Sequence, residues 1–297
     1  MKRKEKMIIK RAALCAVGVL ILVLFTSFGA SRHSTGGASG SGDAELSSGM
    51  VAGDNGNAAD VTVDSPDSTK NVNGAVAQPM DRQDELAAAK RANKDAVAWI
   101  VMPGADVDAA VMQGPDNAKY LQLDELGNYA EWGCYYADCR DSFASRDAMV
   151  KNTVVYGHSQ SDCDPDGEKF TTLHRYTDAQ YVCENPYIFF SVDGEDMVFE
   201  IAAVFFTDVA FDYINPDPAA LGGTVFYDTV SAANYLAGEN SVIDATDKLL
   251  TLSTCCRQHD PERTGNHRLV VMARLLDESE YGDTYSVTQA PNPSVPW

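Results

Sequence analysis

The residues that could do chemistry in this sequence are its cysteines, its histidines and a few arginines. Seven cysteines are present. Cys15 lies in an apolar N-terminal run, whereas Cys134, Cys139, Cys163, Cys183, Cys255 and Cys256 lie beyond it. An extracellular cysteine is ordinarily a disulfide half or a small buried hydrophobe, and four of the six are read that way. Cys255 stands apart because Lys248-Leu-Leu-Thr-Leu-Ser-Thr-Cys255 reads as an apolar strand that ends on a thiol. A nucleophile at a strand end is held rigidly and can still face a groove. A bond between the neighbours Cys255 and Cys256 would be strained.

A thiol at its free pKa of ~8.5 is mostly protonated at neutral pH, and only the thiolate attacks a carbonyl well. An imidazole nearby can exchange that proton and later protonate a leaving amine. A guanidinium stays charged and offers several donors to a developing oxyanion. Cysteine, histidine and arginine together therefore suit acyl transfer, with no metal or organic cofactor required. The histidines are His33, His158, His174, His259 and His267. His33 lies in a polar, low-complexity stretch, and His174 shares a short helical pattern with Leu173 and Tyr176. His259 and His267 lie in the loop after the thiol, so either is a rival base to His158. Arg263, Arg268 and Arg274 compete for the cationic role. Arg274 shares a strand face with Arg268 but stands roughly 20 Å further along at ~3.3 Å per residue. Cys163, His174 and Cys183 do not have the paired spacing of a zinc site.

The motif context selects among these. Thr251-Leu252-Ser253-Thr254-Cys255 resembles the TLxTC signature of sortases, and Arg268-Leu-Val-Val-Met-Ala-Arg-Leu275 resembles the strand that carries the sortase arginine. Asn152-Thr-Val-Val-Tyr-Gly-His158 resembles the strand and loop that bear the sortase histidine. Phe170-Thr-Thr-Leu-His-Arg-Tyr176, Trp99-Ile-Val-Met-Pro-Gly104, Val111-Met-Gln and Asp116-Asn-Ala-Lys-Tyr-Leu121 are similar to class B sortases, so the resemblance covers roughly residues 85–276. It implies Cys255 as nucleophile, His158 as general acid/base and Arg268 as electrostatic clamp, acting through a thioester acyl-enzyme that an amine resolves. It further implies substrate contacts at Asn117, Leu121, Tyr213 and Ile214. Ser253, two residues before the nucleophile, shares its strand face. Two positions depart from the class B pattern: Ala109-Ala110 replaces an aliphatic-rich segment, and Cys256 follows the nucleophile.

The elements that must position these residues begin late in the chain. Only Phe25 and Phe28, among all the aromatic residues, precede residue 81. Residues 1–11 form a basic segment with Lys2, Arg3, Lys4, Lys6, Lys10 and Arg11, followed by the charge-free run 12–30. At ~1.5 Å per residue that run spans roughly the ~30 Å hydrocarbon layer. The basic flank places the N-terminus in the cytoplasm and the rest outside. A cleaved signal peptide is the rival reading, but Phe28 would occupy a position where a small residue is wanted. Residues 31–80, rich in Gly, Ser, Asp and Asn, read as a flexible tether.

Residues 81–281 read as the folded domain and 282–297, with three prolines, as a C-terminal tail. A helix is expected over Asp81–Trp99. Strands follow at Trp99–Met102, Val107–Met112, Cys134–Ala137, Thr153–Tyr156, Tyr187–Val192, Met197–Thr207, Leu249–Ser253 and Arg268–Leu276. Short helices are expected at Lys169–Tyr176 and Val225–Leu236. Many short strands argue for a mostly β, closed or sandwiched architecture. The resemblance implies a closed β-barrel of the sortase type, with an N-terminal helix and short peripheral helices.

The first 80 residues hold eight Lys/Arg and seven Asp/Glu, leaving 15 basic and 36 acidic residues in 81–297, a formal net charge of −21. Such a body repels phosphate backbones, which argues against nucleic-acid binding. It keeps the protein soluble and would attract cationic partners such as free amines. The reading is of an extracellular, single-pass membrane-anchored cysteine transpeptidase. Its expected partners are surface proteins bearing a C-terminal sorting motif and an amine acceptor on a peptidoglycan precursor or a pilin. The alternatives are a cysteine peptidase that releases the acyl group to water, and a non-catalytic surface β-domain with structural cysteines.

Overall fold

The computed structural model describes residues 77–160, 164, 166–260 and 262–295. The basic segment and the anchor read from the sequence lie outside the described residues, as do the tether up to residue 76 and Cys163.

Eight strands close into a barrel. They are β1 (Ala96–Met102), β2 (Val107–Met112), β3 (Tyr135–Ala137), β4 (Asn152–Tyr156), β5 (Tyr187–Val192), β6 (Glu195–Asp208), β8 (Leu249–Cys255) and β9 (His267–Leu275). The order around the wall is β1-β2-β3-β4-β8-β9-β6-β5, closed by β1 against β5. The barrel is mixed, with β2 parallel to β3 and β4 parallel to β8. All eight strands expected from the sequence are present, with ends displaced by up to three residues. A shift in register between Ile201 and Ala203 bends the 14-residue β6.

Alternation assigns the faces. Ile100, Val111, Ile188, Phe190, Phe199, Leu252, Leu269 and Val271 are buried in the main core. Burying each large side chain contributes roughly 1.5–3 kcal/mol. The other face of β6 and β9 buries Phe205, Val270 and Met272 against Phe226, Val230 and Ala233 of a helix, Val225–Ala233.

The N-terminal helix α1 (Gln83–Ala92) is shorter than expected. Asp84 and Glu85 in its first turn and Lys90 and Arg91 in its last complement the helix dipole. It stops at Asn93, whose backbone is extended and whose side chain donates to the Tyr120 hydroxyl and the Glu125 carbonyl. Residues 96–99, alanine-rich and helical by propensity, instead form β1 because both β2 and β5 pair with it. The expected helix at 169–176 is a 3-10 segment, Phe170–Thr177. Helix α2 (Ala179–Glu184) follows it, and Val225–Ala233 is α3, which ends before the two-residue strand β7 (Leu236–Ala237). The segment read as a tail returns to the body: β10 (Thr288–Gln289) pairs with β7, and Val287 is buried.

Candidate active site

The strand order brings the three candidate residues to one end of the barrel. β4 and β8 run parallel with Tyr156 opposite Ser253. His158 and Cys255 each lie two residues beyond that pair, so both emerge at the same end. β9 runs antiparallel to β8 and begins there, with Arg268 directly opposite Cys255. Two bonds lock the junction: Gly157 N–H donates to the Ser253 carbonyl at 3.2 Å, and Thr254 Oγ1 donates to the Gly157 carbonyl at 2.8 Å. A glycine is needed at 157, because a Cβ there would sit 2.6 Å from the Phe170 ring. Cys255, His158 and Arg268 are all partly exposed at this end.

Alternation along β8 puts Leu250 and Leu252 inside the barrel and Thr251, Ser253 and Cys255 outside. On the outer face Thr251 Oγ1 bonds to Asn152 Oδ1 at 2.6 Å, and Ser253 Oγ bonds to the Tyr213 hydroxyl at 2.9 Å. Tyr213 is 3% exposed. Burial raises its phenol above the ordinary value, opposed by the Ser253 hydroxyl and the Arg268 charge. Burial likewise raises the phenol of Tyr136, which lies in the field of both Cys255 and Arg268. Asn152 at the start of β4 donates to the carbonyls of Tyr213 and Asn215 at 2.9 and 3.0 Å.

Arg268 Nη1 donates to the carbonyls of Gly265 at 2.7 Å and His267 at 2.9 Å, and the guanidinium also lies beside the Tyr213 hydroxyl. Its remaining donors supply what an anionic oxygen near Cys255 would need. The Nε2 of His158 is 2.8 Å from the Leu121 carbonyl oxygen. A carbonyl only accepts, so Nε2 carries the proton and Nδ1 is the nitrogen available for exchange with a thiol. Trp132 packs edge-on against the same imidazole, ring centroids 6.0 Å apart. Next to Trp132, Gly133 lets the chain pass close to the Tyr120–Leu121 backbone: its φ is +49°, and a Cβ would meet the Tyr120 carbonyl oxygen at 2.3 Å.

The rival side chains are placed differently. Cys256 is 3% exposed and belongs to the interior core, on the opposite face from Cys255. Cys134, Cys139, Cys183 and Cys255 are free thiols. His259 packs on Phe206 at 4.5 Å, and burial lowers its pKa. Burial pushes His174 down to about 4, and it too stacks against Phe206. His267 faces Asp260 at 3.6 Å. Arg274 is 5% exposed and bonded to Glu200 and Glu280 at the far end of β9.

A sortase-domain family model matches residues 100–276. The chain belongs to the sortase family. Sortase B of Listeria monocytogenes is 29% identical over 216 residues, covering 70% of this chain and 78% of that protein. Sortase B of Staphylococcus aureus is 26% identical over 193 residues, covering 64% and 74% respectively. A solved structure of a Staphylococcus aureus sortase B–substrate complex shares the fold at a TM-score of 0.56 and 23% identity, covering 66% of this chain and 86% of that one. The protein is a sortase B-like cysteine transpeptidase.

Within this sortase domain the remaining sequence candidates divide between two segments. Leu121, 38% exposed, offers its carbonyl to His158, and Asn117 lies four residues earlier. Asn117 has both polar atoms engaged: Nδ2 donates to Asp138 at 2.9 Å, and Oδ1 accepts from the Cys139 amide at 2.8 Å. Tyr213, against Ser253 and Arg268, and Ile214 form the other segment. Sequence reasoning missed Trp132, Tyr136, Asp138 and Arg140. The available signal was an Asp-Cys-Arg run directly after a strand.

Proposed function

We propose that this chain cleaves a C-terminal sorting motif of surface proteins and transfers the new acyl end to an amine. The observation that carries the reading is the Cys255–Arg268 pair across β8 and β9, with His158 at the same barrel end. His158 takes the proton of the Cys255 thiol, the thiolate adds to the carbonyl carbon of the scissile amide, and the carbonyl oxygen becomes anionic. Arg268 stabilises that oxygen. The C–N bond breaks as His158 gives a proton to the leaving amine, which leaves a thioester on Cys255. His158 then takes a proton from the incoming amine. Its nitrogen attacks the thioester carbonyl, and the Cys255 thiolate is released. Asn117, Leu121, Tyr213, Ile214 and Ser253 border the peptide.

The names of the sortase B relatives and the presence of substrate in the solved complex support a peptide substrate of this kind. Sortase-family proteins are extracellular and membrane-associated. In this chain the basic segment and apolar run before residue 31 give the same orientation, with the catalytic body outside and anchored by residues 12–30. The acidic body favours a cationic acceptor, either a cell-wall peptide amine or a pilin lysine.

The test is incubation of the full-length chain with a library of sorting-motif peptides, with and without an amine acceptor. Mass spectrometry reads the products. A ligated peptide is expected when the amine is present. Cleavage that yields only free acid at every amine concentration would make the enzyme a peptidase. No cleavage together with an unreactive Cys255 would leave only a non-catalytic surface domain.

A further inference from the structure

The segment holding Asn117 and Leu121 and the segment holding Tyr213 and Ile214 are far apart in sequence, yet one carboxylate connects them. Asp138 is 0% exposed. Its Oδ1 accepts from the Arg140 amide at 3.0 Å and from Arg140 Nε at 2.7 Å. Its Oδ2 accepts from Arg140 Nη2 at 2.8 Å, Tyr156 Oη at 2.8 Å and Asn117 Nδ2 at 2.9 Å. Arg140 Nη2 also donates to the Ile214 carbonyl at 3.0 Å. One side of this node therefore leads to Asn117, and through its segment to the Leu121 carbonyl on His158. The other side leads to Ile214, next to the Tyr213 that bonds Ser253. The third branch, Tyr156, lies two residues before His158 on β4.

We infer that Asp138 and Arg140 form a positioning pair that sets the spacing between the Asn117–Leu121 and Tyr213–Ile214 segments before peptide arrives. The inference rests on the reading of these segments as the two walls of the peptide site. Geometry favours the pair over a simple charge contact. A guanidinium fork spans both carboxylate oxygens and still has a donor for the Ile214 carbonyl, which a single ammonium does not match. Burial opposes the charge on Asp138, but Arg140 and the other donors win and hold its carboxyl at about 2, so the tie persists across working pH. Asn117 spends its amide within this network, so it shapes the wall rather than reading the peptide. Asn152 fixes the Tyr213 and Asn215 carbonyls to the barrel, and Arg140 ties the Ile214 carbonyl between them to the Asp138 node.

The test uses the full chain carrying Arg140→Gln or Arg140→Lys. Hydrogen exchange is followed for residues 117–121 and 211–215, with the amides of β8 as the control for an intact barrel. Both segments are expected to exchange together at least about tenfold faster in Arg140→Gln, while β8 keeps its protection. Arg140→Lys should restore neither segment. With the peptide found above, KM should rise about tenfold or more, with a smaller fall in kcat because the Leu121 carbonyl that orients His158 belongs to the loosened segment. Unchanged exchange in either segment overturns the inference, as does a fall in kcat at constant KM. Exchange is read without substrate, so failure of the parent to cleave any peptide would count against the proposed function alone.

Discussion

Cys255 faces Arg268 across the antiparallel ladder of β8 and β9, one at the last residue of its strand and the other at the second residue of the next. β8 ends and β9 begins at this end of the barrel. The reactive sulfur and the permanent charge therefore share a rigid backbone frame. Strand alternation then sets both side chains on the outer face, away from the Leu250 and Leu252 side of β8.

That frame makes the nucleophile testable by truncation. Cys255→Ala removes one sulfur from a partly exposed position and should leave the melting temperature within a few degrees, because little packing is lost. Peptide cleavage should fall to background. Thermal melting and product mass spectrometry check the two halves. Substantial residual cleavage would assign the thiol chemistry elsewhere, Cys256 being the nearest candidate although it is buried in the core.

Arg268→Lys keeps the charge and loses the planar fork. The Gly265 and His267 carbonyls now take two bonds from Nη1, and an ammonium satisfying them has few donors left for an oxyanion. Losing one oxyanion donor costs about 10²–10³ in kcat in other acyl-transfer enzymes, and a loss on the order of 10² is expected here. Single-turnover kinetics should place the loss in acylation. Equal rates for Lys and Arg would mean that charge alone is used.

Much of this arrangement was legible in the sequence. The eight barrel strands announced themselves by short apolar runs between Gly, Pro, Asp and Asn. Cys255 was visible as a thiol ending an apolar strand, whereas Arg268 stood out from Arg263 and Arg274 through its resemblance to the sortase arginine strand. The end of α1 was not legible, since Ala96–Trp99 reads as helix until β2 and β5 claim it. The Asp138–Arg140 node was hidden for a different reason. Arg140 and Ile214 are 74 residues apart, and no local periodicity encodes a bond of that span. Trp132 packs on His158, but with Tyr129 three residues before it in the same loop nothing local in the sequence marks it out.

The Leu121 carbonyl and Trp132 together should fix the His158 tautomer. Nitrogen-15 spectra of the imidazole should show the proton on Nε2 in the resting enzyme. Replacing His158 by Ala should cost at least ~10²-fold in cleavage rate, as for loss of a general acid/base. The same change at His259 or His267 should cost far less, because His259 packs on Phe206 and His267 faces Asp260. A parent-like rate for His158→Ala alongside a collapse in a loop-histidine variant would move the acid/base role into the loop.

Asp141 should make stability depend on pH. It is 8% exposed, with Oδ2 accepting the Val154 amide at 2.9 Å and Oδ1 buried without a hydrogen-bond partner among the described residues. Burial pushes its carboxyl up to about 8, with the Val154 amide opposing and the Asp138 charge adding. In the unfolded chain an aspartate titrates near ~3.9. Below that value both states are protonated and the group contributes its full share. Between roughly pH 4 and 8 the folded state holds a proton that the unfolded state has released, so stability falls as pH rises, by up to ~1.4 kcal/mol per unit for one such group. Above the folded value the loss levels off. Asp141→Asn keeps the acceptor for Val154 and cannot ionise. It should match the parent near pH 4 and exceed it increasingly toward pH 8. The measurement is urea unfolding of both proteins at intervals across that range, with the difference between them isolating Asp141 from other titrating groups. Parallel curves would mean that the carboxyl stays ionised inside the fold and that an unseen donor reaches Oδ1.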